Sequence, residues 1–386
     1  MPQYNNNMAA SHLVIGITGH RNLRDQELPV LKNQVRVFFQ DLQLRHTKLP
    51  LCLLSSLAAG SDQLVTEIAL NMGIRVIAPL PMSPENYIAD FDSEKSRATF
   101  TQQCQLTELI TVPLHHGSQE DSIKLPAPER DLQYAQAGIF VSSHCHILLA
   151  IWDGRESDLL GGTAQVVNFH LQGSMPGPID RRRAALGLLG MDNETLVYHI
   201  TAIRQNQELA VIHGSSQWIS SNQDTPNAKQ MPEAFDLMFK RHEEFNKDWH
   251  RNERNIMQLQ TANDAEAECP IHALFRASDW LASTYQKRVG QVLKIAYLLV
   301  ALMGIAIIIY SDVAVQDEML YLFLIFFLAI LGVASVSKRR EWHRKYIDYR
   351  VLAEGLRVQS FWRRAGIIDN NTPSFAHDNF LQKQDI

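Results

Sequence analysis

Three short loops of small residues carry the side chains best suited to binding an anion. They span residues 18–21, 56–62 and 161–163, and each stands before a helical pattern. The amino-terminal end of a helix presents free backbone N–H groups and the positive end of the helix dipole, which together suit phosphate. The three loops therefore predict an anion-binding site.

The candidate ligand-binding residues lie within and beside these loops. Arg21 is the strongest phosphate candidate, because a guanidinium can bind phosphate through two parallel hydrogen bonds. The alternative for Arg21 is a surface ion pair with Asp25 or Glu27. His20 could stack on a base, donate to phosphate or only cap its turn. The predicted set is Gly19, His20, Arg21, Ser56, Gly60, Ser61, Asp62, Pro81, Asp153, Gly161, Gly162 and Thr163.

Three carboxylates could contact a ribose hydroxyl or exchange protons with a ligand. Asp62 stands at a helix start, where the alternative role is that of an N-cap. Asp153 follows an apolar strand, and a charge at the carboxyl end of a buried strand lies over the site of a parallel sheet. Glu67 could face the site or the solvent. We predict no metal site, because strand alternation in residues 144–146 (HCH) separates the two histidines from the cysteine. No residue is assigned a catalytic role.

Strands and helices alternate through the first half of the chain. Apolar runs rich in β-branched residues predict six strands, with helical patterns between them, at residues 12–18, 51–55, 75–80, 109–112, 144–152 and 197–203. This alternation predicts an α/β fold with a doubly wound, Rossmann-like parallel sheet covered on both faces. Ligands of such sheets bind beyond the carboxyl ends of the strands, where the three loops fall.

Two apolar runs near the carboxyl end are long enough to cross a membrane. Residues 295–311 form an uncharged run of 17 residues and residues 319–337 one of 19, close to the ~20 residues that a bilayer core requires. Basic residues flank the pair on its outer sides, while the connecting loop is acidic, so both termini are expected in the cytoplasm. The competing interpretation is a pair of buried helices in a large soluble domain.

The net charge and the spacing of the cysteines limit the possible partners and the cellular compartment. The net charge is −5 and no basic surface precedes residue 338, so no nucleic-acid partner is predicted. The four cysteines lack paired spacing, which is typical of a reducing compartment. Residues 1–11 lack the apolar segment of a signal peptide. The part of the chain before the apolar runs is therefore expected in the cytosol.

Motifs in the first half of the chain carry a family resemblance over about residues 12–205. They are TGHR (18–21), SSLAAGSDQLVTEIAL (55–70), APLP (78–81), and WDG (152–154) with GGTAQVV (161–167). With these motifs the region resembles the SLOG family of Rossmann-like nucleotide-ligand domains, related to the LOG and DprA groups. The resemblance implies a sensor whose ligand is a nucleotide or an ADP-ribose-type molecule, with no further cofactor.

A second likeness covers about residues 270–364 and is carried by WHRKYIDYRVLAEGLRVQ (342–359). This region is similar to the SLATT family of two-helix membrane domains, which accompany SLOG domains and nucleotide synthases. Proteins so built are regarded as bacterial antiviral defence effectors, in which the soluble domain senses a nucleotide second messenger and the membrane part perturbs the inner membrane. The implied partners are that messenger, the lipid bilayer and further copies of the chain, because two helices cannot enclose a pore alone.

The predicted organisation has six segments. They are a disordered N-terminus (1–11), the SLOG-like domain (12–212), a linker (213–234), a charged helical connector (235–270), the SLATT-like domain (271–366) with membrane helices at about 292–311 and 319–337, and a flexible tail (367–386). After the second membrane helix, a coiled-coil-like spacing suggests a seam formed by Trp342, Tyr346, Tyr349, Ala353 and Leu356.

One departure separates the chain from hydrolases of the wider superfamily. The phosphoribohydrolase branch uses a PGGxGTxxE loop whose glutamate does acid/base work. With Gly162-Thr163 aligned on its GT, the glutamate position holds Val166. General acid/base catalysis is worth about 10²–10⁴-fold, so the sequence favours a ligand-gated membrane effector. The alternative is a membrane-tethered nucleotide N-glycosidase, in which Asp153 or Glu67 supplies the carboxylate. A third, weaker option is a partner that only localises another enzyme.

Overall fold

The computed structural model describes residues 11–115, 119–124, 127–173, 175, 195–205, 215–221, 227–260, 270–313 and 317–364. Residues 1–10 of the predicted disordered N-terminus and the whole predicted tail lie outside the described residues. Internal contacts divide the chain into two compact units, with the boundary between Lys247 and Asp248. We call the first the α/β unit and the second the helical unit.

An eight-stranded sheet forms the centre of the α/β unit. The strands are β1 (Leu13–Gly19), β2 (Leu51–Leu54), β3 (Arg75–Leu80), β4 (Glu108–Thr111), β5 (Ile147–Trp152), β6 (Leu196–Thr201), β7 (Ser216–Ser220) and β8 (Asn227–Ala228). Their order across the sheet is β4-β3-β2-β1-β5-β6-β7-β8. The first six strands pair in parallel, and the β6–β7 and β7–β8 pairs are antiparallel, which confirms the predicted α/β fold with a mostly parallel sheet.

Helices follow most of these strands. They are α1 (Leu28–Arg45), α2 (Ser61–Asn71), α3 (Pro84–Tyr87), α4 (Glu94–Leu106), α5 (Pro128–Ser143) and α6 (Thr163–Gln172). Side chains alternate between the two faces of a strand, and the sheet accordingly has two cores. Ile15 and Leu149 share one core with α1 and α2, whereas Leu148 and Ala150 share the other with α5 and α6. Both faces of the parallel part of the sheet are therefore covered.

The prediction of a linker at residues 213–234 is wrong for the described part of that segment. β7 pairs with β6, and β8 with β7. Trp218 of β7 is buried, with its ring centroid 4.7 Å from that of Tyr198 and 6.0 Å from that of Phe38. The Trp218 side chain thus anchors β7 to the core, although the composition of this strand is as polar as that of a loop.

The predicted connector at 235–270 is also more than a connector. It forms helix α7 (Glu233–Gln260), whose first half belongs to the α/β unit and whose second half belongs to the helical unit. Phe235 and Phe239 are buried in the sheet core, and the Asn246 side-chain amide donates to the backbone carbonyl of Lys48 at 2.9 Å. A narrow apolar stripe is enough to dock a helix that is polar elsewhere.

The helical unit continues with three long helices. They are α8 (Pro270–Ile308), which ends in a π-helical turn (Ile309–Val313), α9 (Asp317–Arg339) and α10 (Trp342–Arg364). Two stretches, Ile271–Ser311 and Glu318–Phe361, contain windows long and apolar enough to cross a membrane, and only 6% and 0% of those windows are buried. A core helix of a soluble protein would be mostly buried, so the exposure indicates a membrane protein.

The predicted seam on α10 is used inside the chain. Tyr349, Ala353 and Leu356 are buried, and α10 packs along α8. Their burial leaves Trp342 and Tyr346 as the more exposed members of the seam. The apolar repeat therefore packs within the helical unit itself.

Candidate functional site

The order of the strands places a crevice between β1 and β5. From β1 the chain builds outward to β4, then returns to add β5 on the other side of β1. At such a reversal the two following loops separate, which opens a site at the carboxyl ends of the two strands. A cavity of about 380 Å³ lies there, a size within the range of small-molecule sites.

Nine of the twelve predicted ligand-binding residues line this cavity: Gly19, His20, Arg21, Ser56, Asp62, Pro81, Gly161, Gly162 and Thr163. Gly60, Ser61 and Asp153 do not. Because the nine come from four separate loops, the fold assembles the predicted residues around one space.

Gly60 and Ser61 hold the loop after β1 in place. The backbone N–H and the hydroxyl of Ser61 donate to the His20 carbonyl at 3.1 and 2.9 Å. Gly60 has a φ of +81° and lies against the carbonyls of His20 and Arg21, so a side chain has no room there. The N–H of Gln63 donates to the Ala58 carbonyl. The amino end of α2 is thus occupied by the protein, contrary to the expectation that it binds an anion.

The amino end of α6 is open in the way the sequence predicted. Gly162 is its N-cap residue, and the first helical hydrogen bond runs from Val166 to Gly162. Within the described part of the chain, no acceptor meets the backbone N–H groups of residues 163–165. Gly162 and Thr163 line the cavity, so these N–H groups and the helix dipole are available to an anion.

Arg21 lies in the cavity with its charge unpaired. Its guanidinium carbon is 5.1 Å from the ring centroid of Tyr134. Among the residues that the structure describes, it makes neither a hydrogen bond nor an ion pair. The alternative pairing with Asp25 or Glu27 is not formed, and Glu27 instead accepts a hydrogen bond from the N–H of Ile203 at 3.1 Å. A guanidinium that stacks on an aromatic ring, near the carboxylates of Asp62 and Asp90 but hydrogen-bonded to neither, is suited to receive an anion.

His20 is held between a cation and a carboxylate. Its Nδ1 accepts from Arg204 Nε at 3.3 Å, and its Nε2 lies 3.3 Å from Asp153 Oδ1. The backbone N–H of Asp153 also donates to Nε2, at 3.1 Å, so Asp153 contacts this nitrogen through both its backbone and its carboxylate. Burial lowers the pKa of His20, the Asp153 charge opposes that effect, and Arg204 adds to it. Asp153 therefore orients His20 and does not face the ligand space.

Asp62 places an ionisable carboxyl inside the cavity. The residue is only 6% exposed, and burial raises its pKa to about 7 although backbone N–H groups of Ala58 and Ser56 and the charge of Arg21 favour the ionised form. Its helix has Gly60 as the N-cap residue, so Asp62 is not the cap. A group of this kind can exchange a proton near neutral pH. Glu67 pairs with Lys32 at 3.0 Å on the surface and lies outside the cavity.

Sequence reasoning missed several residues of the cavity wall, among them Asn22, Tyr87, Asp131, Tyr134 and Arg204. Tyr87 is 2% exposed, and its hydroxyl has no partner among the described residues. Burial raises its pKa, so the phenol stays neutral. Tyr134 donates to Asp90, which also pairs with Arg130 at 2.6 Å. Arg204 follows the carboxyl end of β6, so the rule that selected Asp153 could have found it.

Val166 closes one wall of the cavity. It is buried, lines the space, and fits against Gly138 of α5, where an added Cβ would lie only 2.6 Å from a Val166 methyl group. The position aligned with the hydrolase glutamate is therefore apolar and tightly packed. The carboxylates that do line the cavity are Asp62 and Asp131.

No model of a known protein family matches the chain, and no curated protein matches it either. The class of the protein is therefore defined by its fold and by the exposed apolar surface of its long helices. It joins a mostly parallel α/β unit, with a cavity at the reversal of strand order, to helices long and apolar enough to cross a membrane.

Proposed function

We propose that this protein is a ligand-gated membrane effector of the bacterial defence type. Its SLOG-like α/β unit binds a nucleotide-derived signal on the cytosolic side, and several copies of its SLATT-like helical unit together perturb the inner membrane. The observation that carries the proposal is the unpaired Arg21, stacked on Tyr134 and sharing a cavity with the open amino end of α6.

The cavity offers different chemistry for each part of a nucleotide. Arg21 and the free N–H groups at the start of α6 suit a phosphate. The Tyr87 hydroxyl and the Asp62 carboxyl suit ribose hydroxyl groups, because both are buried polar groups facing the same space. Tyr134 supplies an aromatic surface on which a base can stack. A nucleotide or an ADP-ribose-type molecule combines these three features.

The helical unit supplies the response. Its apolar windows are exposed, and the basic residues beyond both runs favour cytoplasmic termini with the short connection on the outer side. Two helices cannot enclose a water-filled path, so the proposal requires assembly into a homo-oligomer. Ligand binding would act by changing the stability or the arrangement of that oligomer.

An N-glycosidase is the second candidate, and Asp62 is the observation that favours it. A carboxyl with a pKa of about 7 beside Arg21 could protonate a leaving base or activate a water molecule. Val166 counts against the acid/base scheme of the related hydrolases, because it leaves their glutamate position apolar. The Asp62→Asn variant separates the two candidates. At saturating ligand an effector should keep its leakage in this variant, because the asparagine amide can still hydrogen-bond a ribose hydroxyl, whereas a glycosidase should lose base release.

The test uses the full chain in dye-loaded liposomes of bacterial lipid composition. ADP-ribose derivatives and cyclic oligonucleotides are added in turn, dye release is followed, and mass spectrometry determines whether each ligand stays intact. The proposal expects release with an intact ligand. Release of free base without leakage would contradict it and support the glycosidase.

Arg21→Ala tests the observation on which the proposal rests. Loss of charge-assisted hydrogen bonds worth about 1.5–3 kcal/mol should weaken ligand binding roughly 10- to 100-fold by titration calorimetry, with membrane insertion unchanged. The matched control is Arg45→Ala, which removes the same charge from a surface pair with Asp41 and should leave affinity unaltered. Normal affinity in Arg21→Ala would remove this loop from the site.

A further inference from the structure

A groove in the helical unit combines an apolar floor with a cationic rim. It has a volume of about 490 Å³ and runs between α8 and α9 toward the start of α10. The floor includes Val292 and Ala296 of α8 and Ile330 and Ala334 of α9, and Lys338 stands at the rim. These residues lie far along the sequence from the α/β cavity and have no role in the function proposed above.

Charge at the rim is unevenly neutralised. Arg344 is bound by carboxylates on both sides, to Glu341 at 2.9 Å and to Asp348 at 2.9 Å. The side chain of Lys338 makes no hydrogen bond or ion pair among the residues described. The same holds for the side chains of the adjacent residues, Arg339 and Arg340, at the end of α9. The groove therefore ends in net positive charge that the described chain does not balance.

The apolar floor continues into the exposed apolar surface of the membrane helices. Leu293 at the groove is 50% exposed and Leu331 beside it 48%, so the floor opens onto the surface that faces the acyl chains. Lys338 lies where α9 leaves that surface. An apolar channel at acyl-chain depth with a free cation at headgroup depth matches an anionic phospholipid, whose tail and phosphate have the same arrangement.

We propose that this groove binds one anionic phospholipid molecule of the cytoplasmic leaflet, with an acyl chain along Ala296 and Ala334 and its phosphate on Lys338. The inference rests on the membrane location in the proposed function, but not on the ligand of the α/β cavity. A second copy of the chain is a less suitable occupant. Copies inserted in the same direction would bring three unneutralised cations against three others, and like charges across an interface oppose association.

The lipid would lie beside the sharp connection between α9 and α10. Glu341 in that connection has a φ of +49°, a conformation that is unfavourable for a residue with a side chain. Its carboxylate is held by Arg344. A phosphate at Lys338 is therefore next to the turn that sets the direction of α10, which gives anionic lipid a place from which to affect the helical unit.

The test measures lipid binding by the full chain purified in mild detergent. Native mass spectrometry with added phosphatidylglycerol or phosphatidylcholine gives the number and strength of bound lipids. One saturable phosphatidylglycerol per chain is expected, with phosphatidylcholine at least tenfold weaker. Equal binding of the two lipids, or displacement by inorganic phosphate alone, would overturn the proposal.

Matched variants separate the groove from general surface charge. Lys338→Gln removes the cation that lines the groove, and Ala334→Phe fills its floor. Each should weaken phosphatidylglycerol binding about tenfold. Arg339→Gln is the control, since it removes the same charge one residue away from the groove lining and should change binding less than twofold. Equal losses in Lys338→Gln and Arg339→Gln would mean nonspecific attraction, and unchanged binding in Ala334→Phe would place the lipid elsewhere.

Two further readouts complete the test. Cysteine cross-linking across the groove that yields dimers competing with lipid would identify a second copy as the occupant and overturn the assignment. Nucleotide titration of the same variants should be unchanged, because the α/β cavity does not include these residues. A failure of the lipid site is therefore distinguishable from a failure of the proposed function.

Discussion

The two units distribute polar and apolar side chains in opposite ways. In the α/β unit, Ile15 and Leu149 at the sheet centre are completely buried, and charged groups collect at the cavity on the sheet edge. In the helical unit, Leu298 is 61% exposed and Ile325 59%, whereas the carboxylate of Asp248 is buried. The first arrangement suits water as the surrounding solvent, and the second suits lipid.

The buried carboxylate of the helical unit joins three of its helices. Asp248 Oδ2 of α7 accepts from Tyr285 of α8 at 2.8 Å and from Tyr349 of α10 at 2.7 Å. Lys345 Nζ of α10 donates to the same oxygen at 2.8 Å. A buried charge is costly unless it is paired and hydrogen-bonded. Helices α7, α8 and α10 are thus joined by a buried polar network in addition to the apolar seam of α10, whereas the cores on the two faces of the sheet are apolar.

Asp248→Ala should have the largest effect on stability. It leaves two buried hydroxyl groups and the ammonium group of Lys345 without their shared acceptor. Removing one partner of a buried pair costs about 3–5 kcal/mol, so we expect loss of that amount of unfolding free energy. The measurement is denaturant unfolding of the full chain in detergent.

Asp279→Asn is the control for this substitution. Asp279 of α8 also pairs with α10, through Arg350 at 2.6 Å, but both side chains are more than 40% exposed. Exposed pairs contribute about 0–1 kcal/mol. If the two variants lose the same stability, the buried network has no special role and the contrast between the units fails.

Acid should weaken the α/β unit through two histidines that stay uncharged. The rings of His146 and His242 lie 5.4 Å apart. Burial lowers the pKa of His146 to about 4 and that of His242 to about 3, the latter also because of His146. An unfolded histidine has a pKa near 6.5, so their contribution is complete above that pH and is lost as the pH falls toward 4 and then 3. Between pH 7 and pH 5 the loss is on the order of 2 kcal/mol for each.

Urea unfolding of the full chain in detergent at the two pH values measures this loss. His242→Gln cannot be protonated, so the loss of unfolding free energy between pH 7 and pH 5 should be about 2 kcal/mol smaller than in the unaltered chain. His250→Gln changes an exposed histidine of the same helix and should keep the full dependence. An unchanged pH dependence in His242→Gln would show that these rings do not control acid stability.

Much of the fold follows from the sequence because buried parallel strands are continuous apolar runs. All six predicted strands occur, with bounds that differ by no more than three residues. β7 was missed because its five residues, SQWIS, include only two large apolar side chains. Residues 135–142 show a helical pattern in the sequence, and α5 contains them but begins earlier, at Pro128, as proline is favoured in the first helical turn.

The sequence predicted those residues of the candidate site that lie in loops at the ends of strands. The loops after β1, β2, β3 and β5 must meet at the carboxyl ends of the parallel strands, so nine residues of the cavity could be predicted from the sequence alone. Tyr87 and Tyr134 come from helices whose faces only the packed structure defines. Asp248 was missed for a different reason. Helix α7 is rich in charges, and periodicity does not show which carboxylate meets Tyr285 and Tyr349.

Arg21→Lys should have the smallest effect on stability. It therefore tests whether the charged groups at the cavity of the α/β unit serve a ligand and not the fold. Because Arg21 makes no hydrogen bond or ion pair among the described residues, its replacement should change the unfolding free energy by less than about 0.5 kcal/mol. Ligand affinity should still fall, because lysine keeps the charge but loses the planar fork and the stacking on Tyr134.

Arg130→Lys is the matched control in the same unit. Arg130 is buried and donates to Asp90 and to the Asn86 carbonyl, so it should lose stability. If Arg21→Lys unfolds as easily as Arg130→Lys, Arg21 supports the fold and is not free for a ligand.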